Sequence, residues 1–232
     1  MIFGGFQKTS LIDYPGKISC IIFLSGCNLT CPYCHNPGLA RGDQPPPPFL
    51  NKNWILDFLK ERTGFLEGVV ITGGEPTLNR EIFSLCGDIK SLGYKVKLDT
   101  NGTRPEVVRN LAREKLIDFI AMDIKTSPPA YSPVLSKEPI SEQIFSSIRI
   151  VMDSGLPYEF RTTCVRPIID ENVIKEVAEQ IRGAGSYVLQ RFQSRKILNP
   201  SFFKNKECAF TENELEKLKA AASPYVRKCI VR

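Results

Sequence analysis

Three cysteines, Cys27, Cys31 and Cys34, fall within the stretch SGCNLTCPYCHNPG, and His35, the only histidine of the chain, follows at once. Thiols and an imidazole this close together point to metal or redox chemistry. Four chemistries use such a cluster. Cys31-Pro-Tyr-Cys34-His35 fits the C-x-x-C-H of haem attachment. Cys31 and Cys34 alone fit a redox dithiol. Three cysteines and a histidine fit zinc. Three thiolates also fit an iron–sulfur cluster that keeps one iron without a protein ligand.

Three of the four explain the pattern poorly. Haem attachment generally accompanies export, and the opening MIFGGFQKTSLIDYPGK lacks the apolar stretch of a signal peptide. A dithiol leaves Cys27 unused. Structural zinc usually draws its ligands from two separated stretches of chain, and a ligand directly after Cys34 is awkward to bring round the same ion. Catalytic zinc held by several histidines is excluded, because His35 stands alone. A [4Fe–4S] cluster on Cys27, Cys31 and Cys34 remains. The spacing curls a short loop so that three sulfurs face one cube, and the open iron can take a substrate.

Something must hold that loop, and the hydrophobic pattern says what. Strands are expected at 17–24, 67–74, 94–102, 118–125, 158–165 and 186–193, each a short apolar or β-branched run. Helices are expected at 53–62, 80–93, 104–115, 141–155 (with Ser141 as N-cap), 170–183 and 211–222. The last opens on a capping box, Thr211 and Glu214. The tail YVRKCIV reads as a last edge strand, and QPPPP at 44–48 as a stiff loop. Strict alternation implies a parallel sheet with helical crossovers. A full eight-unit barrel takes roughly 250 residues, so six units in 232 residues suggest a partial (β/α)6 TIM-like barrel of the α/β class. A doubly wound sheet is the alternative. One domain is expected over 1–232, with a core at about 17–195 and a C-terminal helix and tail at 196–232. The unusual residues all follow strands, at the carboxyl ends where parallel folds build their sites.

Composition narrows the class. Hydrophobic residues make up 42%, enough for a core without staples. No apolar run is long enough to span a membrane. The expected location is the cytoplasm, where thiols stay reduced. A net charge of +6 is too mild to argue for nucleic acid. Basic residues gather near the end (Arg191, Arg195, Lys196, Lys204, Lys206, Arg227, Lys228 and Arg232), as a solvated rim or as a docking surface for an acidic partner.

The motifs taken together resemble a known family. CNLTCPYC, GGEP at 73–76, LDTNG and MDIK are similar to the signatures of radical S-adenosylmethionine (SAM) enzymes, and of glycyl-radical-enzyme activases in particular. The opening GFQKTSLIDYPGKISCIIFLSGCNLTCPYCHNP resembles activating proteins of anaerobic ribonucleoside-triphosphate reductase. The resemblance covers roughly residues 4–195. It implies that SAM chelates the open iron, that an electron from a flavodoxin or ferredoxin splits it, and that the resulting 5′-deoxyadenosyl radical takes hydrogen from a glycine of a partner enzyme. It assigns Cys27, Cys31 and Cys34 to the cluster, and Tyr33 to an aromatic cover. Gly73 and Gly74 would approach the methionine end, and Glu75 would accept from its ammonium. Asp99, Thr100 and Asp123 would position the ribose or hold a monovalent cation near Asp99 and Asp123. Lys125 would offset these carboxylates, and Arg161 or Arg166 would reach SAM or the partner peptide.

Two departures shape the expectation. Pyruvate formate-lyase activases carry a histidine near the end of the sixth strand, where Gln193 would here substitute. About forty residues separate Cys34 from the GGEP turn, too few for an inserted ferredoxin module, so one cluster is expected. Cys20, Cys86 and Cys164 read as core; Cys208 and Cys229 as a metal pair or nothing. The alternatives are an activase of another glycyl radical enzyme, a small-molecule radical SAM enzyme such as a 7-carboxy-7-deazaguanine synthase, or a non-enzymatic electron carrier or zinc-stabilised module.

Overall fold

The computed structural model describes residues 1–43, 45–193, 197–203 and 207–232. Among them, eight strands form one sheet: β1 (Phe3–Ser10), β2 (Ser19–Leu24), β3 (Gly68–Gly73), β4 (Lys95–Thr100), β5 (Phe119–Asp123), β6 (Tyr158–Cys164), β7 (Tyr187–Arg191) and β8 (Cys229–Val231). Seven helices connect them: α1 (Pro37–Arg41), α2 (Lys52–Glu61), α3 (Ile82–Ser91), α4 (Pro105–Arg113), α5 (Ser141–Asp153), α6 (Glu171–Gln180) and α7 (Glu212–Ala222). Each strand lies beside the next in chain order. The first pair is antiparallel and all later pairs are parallel.

That order decides between the two architectures. A doubly wound sheet reverses its strand order and carries helices on both faces. Here the order never reverses, so right-handed crossovers put the helices on one face. Ile22, Leu24, Val69, Ile71, Val96, Leu98, Ile120, Met122 and Phe160 belong to the large core on that face. Residues of opposite parity, Ile21 and Val70, pack with Tyr14, Phe23 and Phe119 on the other. The sheet curls helix side out, and its edges, β1 and β8, do not meet. This is the partial barrel expected.

Local chemistry explains the boundaries. Asn51 caps α2 by accepting from the Trp54 N–H at 3.0 Å, and Asp170 caps α6 through the Val173 N–H at 2.9 Å. The Thr211–Glu214 capping box of α7 is present in both directions. Ser141 is not a cap: Ile140 holds that position, and the Ser141 hydroxyl donates to the Pro128 carbonyl at 3.0 Å. Two elements were not legible. β1, FGGFQKTS, has neither alternation nor a β-branched run. α1 has only five residues, with Pro37 at its start and Gly42 in a left-handed cap. Among the described residues no helix is long and apolar enough to cross a membrane.

Candidate active site

The carboxyl ends of β2 to β5 share one mouth, and their turns line one cavity of about 230 Å³. Cys27, Cys31, Tyr33, Cys34, Gly73, Gly74, Glu75, Asp99, Thr100, Asp123 and Lys125 all reach it, as do Asn101 and His35. Turns far apart in sequence thus converge, as the strand-end rule requires.

The cysteine loop is held on every side by backbone. Gly26 and Cys27 donate to the carbonyls of Leu39 and Ala40 at 2.8 and 3.0 Å, so carbonyls of the last turn of α1 hold the cysteine loop, Leu39 accepting from Gly42 as well. Thr30 donates to Leu135 at 2.9 Å, and Asn199 donates to Pro32 at 2.9 Å. Gly74 and Glu75 donate to Leu24 and Gly26, both at 2.8 Å. This last seam requires glycine. A Cβ on Gly74 would lie 2.1 Å from the Gly26 carbonyl oxygen, and Gly73 has φ +125° against Leu24. The glycine pair, expected to admit a ligand, first admits the backbone of the cysteine loop.

Glu75 is the hub of the neighbouring turns. It is fully buried. Its Oε1 accepts from the Thr77 N–H at 3.0 Å, from the Thr77 hydroxyl, and from the Thr100 hydroxyl at 2.8 Å. Its Oε2 accepts from the Asn101 N–H at 2.6 Å. Three of the four donors gather on Oε1 and one holds Oε2, so both oxygens of the carboxylate are engaged. Burial raises its pKa while those donors pull it down. Glu75 therefore ties the β3 turn to the β4 turn. Asn101, which sequence reasoning passed over inside LDTNG, donates its side-chain amide to Asn28 Oδ1 at 3.1 Å and to Cys27 Sγ at 3.8 Å.

Beneath the cavity runs a belt of charge. Arg161 spans two strands, donating to Asp123 Oδ1 at 2.7 Å and to Asp99 Oδ2 at 3.1 Å. Lys125 Nζ donates to Asp123 Oδ2 at 2.9 Å, and Lys97 Nζ to Asp99 Oδ1. Burial disfavours the charge of Asp123, but Arg161 and Lys125 outweigh it and hold its carboxyl well below the usual carboxylate range. Lys125 and Arg161 are held above their ordinary values by the same pairing, against burial. Lys125 thus offsets the carboxylates as expected. At the place where a monovalent cation was expected, each of the four oxygens of Asp99 and Asp123 faces an ammonium or a guanidinium.

Gln193 departs from its expected place, and the surroundings of His35 and Arg166 are now defined. Gln193 does not line the cavity; its side chain is exposed, and its backbone carbonyl lies 2.9 Å from His35 Nε2. His35, the fourth ligand in the zinc reading, stacks on Phe192 with ring centroids 5.4 Å apart. Arg166 faces away from the mouth. It donates to the Ala209 carbonyl at 2.7 Å and to Glu214 at 2.6 Å, and stacks over Phe210. Cys20, Cys86 and Cys164 are core residues. Arg195, Lys196, Lys204 and Lys206, half of the basic group read near the end, lie outside the described residues, as does Gln44 of the proline loop.

The three thiols line the cavity together. Among the described residues no three of His, Cys, Asp and Glu converge on one ion position. A cubane instead takes thiolates spaced round a larger body. Burial pushes the Cys31 thiol up to about 12 and raises Cys27, with Lys125 opposing at both. Such thiols ionise when metal replaces the proton. The Cys27 sulfur already accepts from the Leu29 N–H at 3.4 Å. The Tyr33 ring is buried at the cavity, and its hydroxyl has no hydrogen-bond partner among the described residues.

A partial α/β barrel with three thiols at its mouth and buried charge beneath defines a class, the cluster-bearing barrel enzymes. Residues 21–181 match the radical SAM superfamily. The chain belongs to that superfamily and is an enzyme of it, a family whose members use a [4Fe–4S] cluster and SAM. It is 35% identical to a protein of Methanocaldococcus jannaschii assigned as a glycyl-radical enzyme activating enzyme, over 98% of this chain and 94% of that one. It is 27% identical to the pyruvate formate-lyase-activating enzyme of Streptococcus mutans, over 78% of this chain and 72% of the other. The 7-carboxy-7-deazaguanine synthase of Haemophilus influenzae is 34% identical, over 61% of this chain and 58% of its own length. Among solved structures, Streptococcus suis SuiB superposes with a TM-score of 0.66 at 17% identity, over 91% of this chain and 48% of SuiB.

Proposed function

We propose that this chain is a glycyl-radical-enzyme activase and that its partner is an anaerobic ribonucleoside-triphosphate reductase. The observation that carries the first half is the near full-length similarity to the archaeal activating enzyme, 98% of this chain against 94% of that one. The partner rests on the resemblance of the opening segment and on Gln193, which stands where formate-lyase activases carry a histidine.

Cys27, Cys31 and Cys34 would hold the cluster, and Lys125, Thr100 and Asp123 would face SAM at the cavity. The cluster and SAM, when bound, supply a one-electron cleavage that yields a 5′-deoxyadenosyl radical. The protein's own part is positional. The Gly74 seam fixes the cysteine loop against β3. Glu75 fixes the β3 and β4 turns to each other. Tyr33 fills the wall beside the thiols and excludes water. Cys27 and Cys34 are half-buried and Cys31 is buried, so the loop opens to solvent at both its ends, where a peptide could approach. The electron would come from a flavodoxin or ferredoxin.

The test mixes anaerobically reconstituted protein, SAM and a reductant with an anaerobic ribonucleotide reductase. A glycyl-radical doublet by electron paramagnetic resonance is expected, and a Cys31→Ala variant should give none. SAM cleavage without a radical on any glycyl radical enzyme would overturn the proposal. Turnover of the deazaguanine synthase's substrate instead would favour the second reading, which the 34% identity to that enzyme supports.

A further inference from the structure

Lys97 is the least expected charge in the molecule. It sits inside β4 and is 1% exposed. The alternation of the strand places it on the inner face together with Asp99. Below it the inner face is apolar, closed by Tyr14, Ile21, Val70 and Phe119. Its ammonium lies 5.9 Å from the centre of the Phe119 ring and donates upward to Asp99 Oδ1. It does not line the cavity. A buried ammonium on an apolar floor is tolerated only where it is paired, and its carboxylate partner is Asp99.

The belt above therefore has three cations, Lys97, Arg161 and Lys125, paired with two carboxylates, Asp99 and Asp123; the buried Glu159 of β6, at the level of Asp99, also acts on Arg161 and is balanced by Arg232. An inorganic cation would find on Asp99 and Asp123 no oxygen without a cationic partner, and Lys97 is the one cation of the belt beyond the number of these two carboxylates. Deleting Lys97 alone changes both conditions. Arg161 and Lys125 then match Asp99 and Asp123 one for one, with Glu159 still held by Arg232, and Asp99 Oδ1 loses its donor beside a space the size of an ammonium.

We infer that Lys97 is a built-in replacement for a bound monovalent cation: it holds Asp99 in place from below, so that SAM binding at this mouth needs no added metal ion. The inference rests on the reading of the cavity as the SAM site. Lys97 is a positioning residue, acting on the ligand only through Asp99.

The experiment compares the wild type, Lys97→Met and Lys97→Arg in KCl, NaCl and tetramethylammonium chloride at one ionic strength; tetramethylammonium is too large to enter the vacated space. Two quantities are read: the thermal midpoint of the protein without SAM, and SAM affinity of the cluster-loaded protein by equilibrium dialysis. The wild type and Lys97→Arg should be indifferent to the cation in both. Lys97→Met should unfold at lower temperature in tetramethylammonium than in potassium or sodium, and should bind SAM about fivefold more weakly there, the lower end of ordinary site-to-site coupling. Wild-type affinity that rises with potassium, or a Lys97→Met variant equally indifferent to all three salts, overturns the inference. If no form binds SAM in any salt, the cavity reading has failed, and the midpoints without SAM still decide whether Lys97 substitutes for a cation. If Lys97→Met does not fold, Lys97→Gln provides the same comparison, because its amide is neutral.

Discussion

At the scale of the residue, the site is governed by groups with no spare capacity. Glu75 has four donors on two oxygens and no exposure. Replacing it by glutamine keeps the shape but turns an amide N–H₂ toward the Asn101 or Thr77 N–H. Glu75→Gln should therefore destabilise the fold by about 2–4 kcal/mol, within the range for breaking a buried charged network. Urea unfolding of the apo protein measures it. A loss below about 0.5 kcal/mol would show that the hub is dispensable. The cluster thiols, the glycine pair and Glu75 were legible because their types are rare at such spacings. Lys97 was legible in principle: Lys95-Val-Lys-Leu-Asp alternates, so 97 and 99 share a face. It went unread because lysine in a strand usually marks a solvated surface. Arg166 stood open between the site and a surface ion pair because sequence gives its position after β6 but not its partners, Ala209 before α7 and Glu214 within it.

At the scale of the element, what matters is how the cysteine loop is clamped. On one flank it meets α1 and the β3 turn. On the other, the segment after β7 returns over it through the His35–Phe192 stack, the His35–Gln193 contact and the Asn199 N–H on Pro32. His35→Ala should release this second flank while leaving the thiols in place. Iron content after reconstitution should stay near that of the wild type, and hydrogen exchange at the Asn199 amide should quicken. Unchanged protection at Asn199 would show that His35 is not the clamp. The α7 cap offers a simpler test. Thr211→Ala removes one half of the capping box and should cost about 1 kcal/mol in chemical denaturation. Helices and strands here were readable because their periodicity is clean. The clamps were not, because they are backbone hydrogen bonds between loops and leave no mark on residue type.

At the scale of the whole molecule, the charged belt links stability to acidity. The carboxyl of Asp123 is depressed in the folded state, so its contribution is complete above the ordinary carboxylate pKa of about 3.9. It fades as the pH falls from there toward the lower folded value. The thermal midpoint should be insensitive to this group at neutral pH and should drop below about pH 4. Asp123→Asn, which leaves Arg161 and Lys125 short of a partner, should start lower at pH 7 and lose less between pH 5 and pH 3. Parallel loss in both proteins over that interval would show that Asp123 is not the group concerned.

Strands that pair in the order in which they are joined have a consequence for how the protein is made. As the nascent chain leaves the ribosome, each strand finds its neighbour already waiting. The cysteine loop, the landing carbonyls of α1, the Gly74 seam and the Glu75 ties to Thr100 and Asn101 all lie before Thr103. More than half the polypeptide remains to be translated when these ties can form, with the Thr30–Leu135 bond still to come. Iron–sulfur assembly could thus begin on a ribosome-bound intermediate, with the returning segment after β7 fastened down last.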